Sequence, residues 1–215
     1  MSTCVNREIS CPHCGALKKT PMWSAVTADT NAELRVRILN ETLFDWKCPS
    51  CGYLAQLAYP CLYHDRARRY MVCVSPRGDA FSKLNSDIPP AVRGVKKRAV
   101  SGLAEMKEKI LLFEAGMDDI AMEMVKLAVT GVLEGKWNVK GVKLYFRSAN
   151  ADTIDFAVYR PGTKEPSYQG TRLAVYEQAC EVLKALQFRE GPGFLKTDRK
   201  LAQELLTAYQ DQDVS

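Results

Sequence analysis

Short apolar and alternating stretches predict β-strands in the first third of the chain. "TLFDWKC" alternates and places Phe44, Trp46 and Cys48 on one face. "YLAQLAY" and "RYMVCVS" are typical of strands, joined here by a polar turn around "HDRAR". Before them, "TNAELRVRIL" favours a helix, because Thr30 and Glu33 have the spacing of a capping box.

A stripe of apolar residues with helical spacing follows the polar stretch "SPRGDAFSKLNSDIPP". Gly116 is placed to end this helix, and Asp118 or Asp119 can cap a second helix, "DDIAMEMVKLAVTGVLEG". We therefore predict a helical hairpin over residues 92–135. The stripe consists of Val92, Val95, Ala99, Leu103, Met106, Ile110 and Phe113.

The last part of the chain mixes both periodicities. "VKLYFRSANADTIDFAVYRP" predicts a β-hairpin over residues 141–160. Two amphipathic stretches predict helices over 171–188 and 197–210, separated by a break at Gly191–Gly193. Since strands and helices occur in separate runs, the predicted fold class is α+β.

Two matching cysteine motifs, "SCPHCG" and "KCPSCG", carry the chemistry that the sequence predicts most specifically. They supply four thiols, from Cys11, Cys14, Cys48 and Cys51. Two cysteines separated by two residues can hold one ion in a tight turn, and two such turns complete the four ligands that zinc prefers. A redox dithiol also uses this spacing, but it normally opens a helix, and "GALKKTP" has no helical pattern.

The other residues of the motifs suit a metal-binding turn. Pro12 and Pro49 fix φ where no donor is needed, and Gly15 and Gly52 can adopt positive φ where the chain leaves the turn. We expect one structural Zn²⁺ per chain, since four protein ligands leave no open position for a reacting water. Iron held as in rubredoxin is the alternative. The predicted architecture is a zinc-ribbon-like β domain over residues 7–78, followed by an α+β region over 89–215.

Composition is consistent with a globular chain able to bury a core, because 47% of its 215 residues are hydrophobic and 26% are charged. Apolar runs are too short to span a membrane, and "MSTCVNREIS" is unlike a secretory signal. We therefore expect a reducing cytoplasm, where paired cysteines more often bind metal than form disulfides. The formal net charge of +5 is too small by itself to indicate nucleic acid.

At these residues the sequence resembles the CpXC domain family. The resemblance rests on "SCPHCG", on "LNETLFDWKCPSCG", on "YPCLYHD" and on "RAVSGLAEMKEKILLFEAGMDD", and covers roughly residues 7 to 125. It matches the four motif cysteines of the family at Cys11, Cys14, Cys48 and Cys51. The resemblance implies a metal site and a prokaryotic source. It implies no enzyme, because no activity is assigned to the family.

Other residues leave alternatives open. Cys61 and His64 could act as nucleophile and base, although a strand edge and a turn explain "CLYHD" better. Arg66–Arg68–Arg69 and Arg93–Lys96–Lys97–Arg98 could contact nucleic acid, although most charge runs are solvated faces. Met106, Met117, Met122 and Met124 could adapt to a protein partner, although core filling explains them better.

These observations favour a non-enzymatic, cytoplasmic zinc protein whose partner is another protein or a second copy of itself. We predict no catalytic residues and no membrane association. The runner-up is a nucleic-acid-binding regulator, and the third reading is an enzyme that uses Cys61 and His64.

Overall fold

The structure, a computed structural model, describes residues 1–78, 85, 92 and 94–212. The chain folds as two compact units, Met1–Lys107 with Pro192–Phe194, and Glu108–Gly191 with Leu195–Ser215. Helices and mixed sheets confirm the α+β class. The polar stretch between the predicted domains lies largely outside the described residues, so the limits 7–78 and 89–215 stay predictions.

A five-stranded mixed sheet organises the first unit, in the order β1-β2-β5-β6-β7. The β1/β2 and β5/β6 pairs are antiparallel, whereas the β2/β5 and β6/β7 pairs are parallel. β5 and β6 lie in the middle, and every residue of β6 is buried. The strands are β1 (Thr3–Ser10), β2 (Leu17–Thr27), β5 (Cys61–Asp65), β6 (Tyr70–Val74) and β7 (Lys96–Val100).

The connection from β2 to β5 contains a short helix and a second, two-stranded sheet. A 3₁₀ turn at Ala28–Thr30 precedes α1 (Ala32–Leu39), and β3 (Asp45–Lys47) then pairs antiparallel with β4 (Leu54–Gln56). The expected helix α1 is therefore present, and its Leu34 and Ile38 are buried as its periodicity predicts.

The predicted capping box of α1 is wrong. The residue before the helix is Asn31, and no side chain caps the first turn. The Thr30 hydroxyl donates instead to the Thr27 carbonyl, 3.3 Å away, because a 3₁₀ turn precedes the helix.

The predicted start of the helical hairpin at Val92 is also wrong. Lys96–Val100 forms strand β7, and helix α2 (Leu103–Glu114) begins only after it. Of the predicted stripe only Ala99 lies in this strand, and pairing with the parallel strand β6 decides the conformation of the segment. This strand buries Lys97, which is 2% exposed, and Arg98, which is fully buried, so they form no basic surface.

The second unit packs helices against one face of a three-stranded antiparallel sheet of order β10-β9-β8. Asp118 caps α3 as expected, accepting hydrogen bonds from the amides of Ile120 and Ala121. Gly116 follows α2 with φ of +68°, as the predicted break requires. The second unit contains the end of α2 and six further elements. These are α3 (Asp119–Trp137), β8 (Lys143–Ala149), β9 (Thr153–Tyr159), β10 (Ser167–Arg172), α4 (Leu173–Ala185) and α5 (Arg199–Gln212).

The β-hairpin predicted over 141–160 is present as β8 and β9. The helices predicted over 171–188 and 197–210 are present as α4 and α5, within a few residues at each end. Strands β1, β2, β5, β7 and β10 have no counterpart among the predicted strands. "YLAQLAY" contributes β4, which pairs with β3, and the turn joins β5 to β6 instead.

A buried chain of opposite charges joins α2 to α3 in the second unit. The Lys126 ammonium lies 2.8 Å from a Glu108 carboxylate oxygen and 3.0 Å from Glu123. Lys109 lies 3.1 Å from both Glu123 and Asp119. Burial alone would lower the pKa of Lys126, but the carboxylates of Glu108 and Glu123 outweigh it and raise that pKa. The lysines are therefore held charged in the interior.

The two ends of this chain are anchored to other elements. The Phe146 amide of β8 donates to Glu108, with a distance of 2.6 Å. The Thr197 hydroxyl donates to Asp119, 2.7 Å away and also buried. Glu108 and Asp119 thus each have a neutral donor as well as an ammonium, whereas Glu123 accepts from both ammoniums.

Replacing Lys126 by methionine should destabilise the second unit by roughly 3–5 kcal/mol, because it leaves Glu108 and Glu123 buried with one ammonium fewer. The matched control is Lys184→Met, whose pair with Glu181 is largely exposed and should contribute little to stability because solvent screens it. Urea unfolding followed by circular dichroism measures both. Equal, small losses for the two variants would contradict a structural role for the buried charges.

Candidate metal centre

Two β-hairpins present the two cysteine motifs at their turns. Cys11 and Cys14 lie between β1 and β2, and Cys48 and Cys51 lie between β3 and β4. Both hairpins are antiparallel, so each turn projects from the end of a rigid pair of strands. This arrangement brings residues far apart in sequence to one place.

The two turns have the same backbone hydrogen bonds. Gly15 N donates to Cys11 O at 2.9 Å, and Gly52 N donates to Cys48 O at 2.8 Å. The amide of each first cysteine donates to the carbonyl of the residue after the glycine, at 3.0 and 2.8 Å. Gly15 and Gly52 have φ of +72° and +74°, as the sequence predicts.

The four sulfur atoms converge with the spacing of a tetrahedral metal site. Sγ of Cys11 lies 3.7 Å from Sγ of Cys51, and Sγ of Cys14 lies 3.8 Å from Sγ of Cys48. All four lie within 4.8 Å of one another. Metal–sulfur bonds of about 2.3 Å in a tetrahedron give sulfur–sulfur edges of about 3.8 Å. The cluster is therefore close enough to hold one ion.

The acidities of the thiols differ sharply across the cluster. Burial opposes ionisation of Cys48, but the amides of Cys51 and Ser50 outweigh it and lower its pKa to about 6. The Tyr53 amide favours the Cys51 thiolate, yet burial and hydrogen bonds to the other three thiols raise the pKa of Cys51 to about 12. The first thiolate thus forms readily, whereas the last needs a cation.

A small apolar core supports the cluster from one side. Trp46 is buried and packs with Cys11 and Cys48, and Ile9, Ala55 and Leu57 cover the group. The Trp46 indole N–H donates to the Thr20 hydroxyl at 3.0 Å. Alternation in "TLFDWKC" predicts the inward position of Trp46, but no local pattern predicts its partner on β2.

Apolar and aromatic side chains surround the same turns on the solvent side. The His13 ring stacks on Tyr53 from the other turn, with centroids 5.6 Å apart and planes 6° from parallel. Leu17 and Leu54, each three residues after the second cysteine of its motif, are 65% and 71% exposed.

Cys61 and His64 do not form a nucleophile–base pair. They lie three residues apart in strand β5, so their side chains point to opposite faces of the sheet. Burial raises the pKa of Cys61 to about 12, which disfavours the thiolate that a nucleophile requires. Asp65 closes the following turn, where it accepts a hydrogen bond from the Arg68 amide.

The remaining candidates resolve into the core or lie outside the described residues. Met106, Met117, Met122 and Met124 are all buried, which confirms core filling. Lys97 and Arg98 are interior and Arg93 lies outside the described residues, so only part of the predicted basic clusters is on the surface. Among the described helices, none has the length and apolar character needed to cross a membrane.

Two hairpins whose turns bring four thiols together form a site that can hold one metal ion. The chain belongs to the CpXC family: the family model, described as CpXC protein, matches residues 9–126, more than half of its length. The match includes both motifs and ends within α3. No curated protein and no solved structure matches the chain.

Among the cysteines outside the four-thiol cluster, the rate of alkylation should be high for exposed thiols and low for buried ones. Cys4 is exposed, whereas burial raises the pKa of Cys61 to about 12 and of Cys73 to about 11. At pH 8 the thiolate population should therefore be roughly 1,000-fold lower for Cys61, and roughly 100-fold lower for Cys73, than for an ordinary thiol. Iodoacetamide labelling of the native protein, read by peptide mass spectrometry, should therefore modify Cys4 long before Cys61. Fast labelling of Cys61 would restore it as a candidate nucleophile.

Proposed function

We propose that the protein binds one structural Zn²⁺ through Cys11, Cys14, Cys48 and Cys51, and that the zinc-stabilised ribbon is a protein-interaction module. The convergence of four thiols at tetrahedral spacing supports the zinc site. Four protein ligands leave no open coordination position, which argues for a structural ion and against a catalytic one.

The small core behind the thiols supports a structural role for the ion. It consists of Cys11, Trp46 and Cys48 with three partly buried neighbours, so much of its surface is the ligands themselves. A core of this size does not stabilise a domain without a staple such as a metal. Zinc binding in isolated finger peptides contributes on the order of 10–16 kcal/mol, more than the net stability of most domains.

The interaction role rests on the exposed side chains that the two turns present together. Leu17, Tyr53 and Leu54 are 65%, 41% and 71% exposed, and the two leucines follow the motifs at matching positions. Single exposed apolar residues are ordinary, but apolar residues concentrated at one end of a rigid ribbon are typical of a contact surface. A protein surface with apolar side chains fits this end, and a second copy of the chain is the alternative occupant.

Cys48→Ser should lose most of its zinc and expose the ribbon to protease. Wild type and the control Cys4→Ser, whose cysteine is exposed and outside the cluster, should each carry about one zinc per chain and be colourless. Limited proteolysis should cut the variant near its two cysteine turns and spare the second unit, whose core contains none of the four cysteines.

Elemental analysis and proteolytic mapping decide between the outcomes. One iron and a red colour would replace zinc by a rubredoxin-like centre. A Cys48→Ser variant that resists protease and melts like wild type would show that the ion is not structural.

A photo-crosslinking amino acid at position 54 should capture the partner in cells. Adducts should form with one defined protein, or with the chain itself, and should disappear when Leu17→Ser is added. Position 132, where Val132 is 70% exposed in the second unit, is the matched control. If positions 54 and 132 give the same diffuse adducts, the ribbon end is not an interaction surface.

A further inference from the structure

The outer face of the three-stranded sheet in the second unit is lined by aromatic residues. Helices cover the inner face, where Leu144, Phe146 and Phe156 are buried in the core. The register then places Tyr145 and Tyr168 on the opposite face, since both pair with Ala157. We call this surface the tyrosine face. It consists of Tyr145, Tyr159 and Tyr168 with Lys143, Arg147, Asp155, Ala157, Gly170 and Arg172.

The centre of the tyrosine face consists of small residues. Ala157 lies on the middle strand between two tyrosines, and Gly170 lies on β10 opposite Asp155. A side chain at Gly170 would come within 3.3 Å of the Asp155 carboxylate. Glycine inside a strand often marks a place where a ligand approaches closely. Adjacent strands lie about 4.8 Å apart, so the backbones at Tyr145 and Tyr168, which are two strands apart, lie about 10 Å from each other.

The rings on this face are held in defined orientations. Tyr168 is exposed, whereas Tyr145 and Tyr159 are half-buried. The Lys126 ammonium of α3 lies 6.0 Å from the centroid of Tyr145. The Arg147 guanidinium lies 4.2 Å from the centroid of Tyr168, which is still 62% exposed. Tyr145 and Tyr159 meet edge to face, with centroids 5.8 Å apart. Both aromatic rings and guanidinium planes are surfaces on which unpaired bases stack.

The charge of the face favours an anionic ligand. Lys143, Arg147 and Arg172 are exposed, whereas the single carboxylate, Asp155, is half-buried and accepts a hydrogen bond from Ser148. The face thus combines three cations with three aromatic rings. An acidic protein would pair with the cations but would bring no bases to stack on the tyrosine rings. In a duplex the bases stack on one another and are not available to these rings.

We propose that the tyrosine face binds single-stranded nucleic acid, with bases stacked on Tyr168 and Tyr145 and phosphates paired with Lys143, Arg147 and Arg172. This surface is separate from the basic clusters that the sequence suggests. It also lies beyond residue 126, where the family match ends, and does not depend on the metal centre.

Fluorescence anisotropy with a labelled 12-nucleotide single strand, as RNA and as DNA, tests the proposal on the full-length protein. We expect a dissociation constant of about 1–100 µM at physiological salt, with a log–log salt slope near −2 for three phosphate contacts on a single strand. Tyr168→Ala should weaken binding by about 5- to 150-fold, whereas Tyr168→Trp should retain it. Arg147→Gln should make the slope shallower by about 0.7.

Matched controls separate this face from other surfaces. Lys184→Gln removes an exposed cation on α4, and Val132→Ala removes an exposed apolar side chain on α3, so neither should change affinity. Circular dichroism and melting should show Tyr168→Ala folded as wild type, because the side chain is exposed.

Several outcomes would overturn the proposal. These are no binding at 100 µM protein, equal affinity for duplex DNA, and equal affinity for polyglutamate of the same charge. Unchanged affinity of folded Tyr168→Ala would do so as well. If Lys184→Gln or Val132→Ala weakened binding as much as Tyr168→Ala, the effect would not belong to the tyrosine face.

Discussion

The convergence of four thiols is the constraint on which the first unit depends. Their sulfur atoms lie within 4.8 Å of one another, so four thiolates would repel strongly without a cation between them. The strands on either side satisfy the backbone of each turn, yet the core behind the turns is little more than Trp46 against two cysteines. The ribbon is thus built around a four-thiol cluster that can hold one ion, and the exposed leucines at its turns are positioned by the same arrangement.

Local chemistry explains what the sequence could predict. Each cysteine turn contains its own proline and glycine, and Asp118 and Gly116 act within one helical turn, so these features need no distant partner. Features that depend on long-range pairing could not be predicted from the sequence. The apolar spacing around Lys96–Val100 predicts a helix, and only pairing with the parallel strand β6 makes this segment a strand. The Thr20 hydroxyl that receives the Trp46 indole N–H has no local signal at all.

Both units bury cations, which limits any inference from charge runs. In the second unit, Lys109 and Lys126 lie among three carboxylates in the interior, where a helical pattern alone would assign charged residues to solvent. In the first unit, Lys97 and Arg98 belong to a buried strand. The cations that do form a surface, Lys143, Arg147 and Arg172, are spread over two strands and never form a run.

The position of the second hairpin within the chain also bears on how the first unit folds. β2 and β5 pair in parallel, and the segment that joins them contains β3, β4 and their cysteine turn. Parallel pairing across a long connection is slow, because the loop entropy is lost before the contacts form. An ion that links the β1–β2 turn to the β3–β4 turn would divide this connection into two shorter loops. Metal supply would then govern the rate at which the sheet assembles as well as the stability of the finished fold.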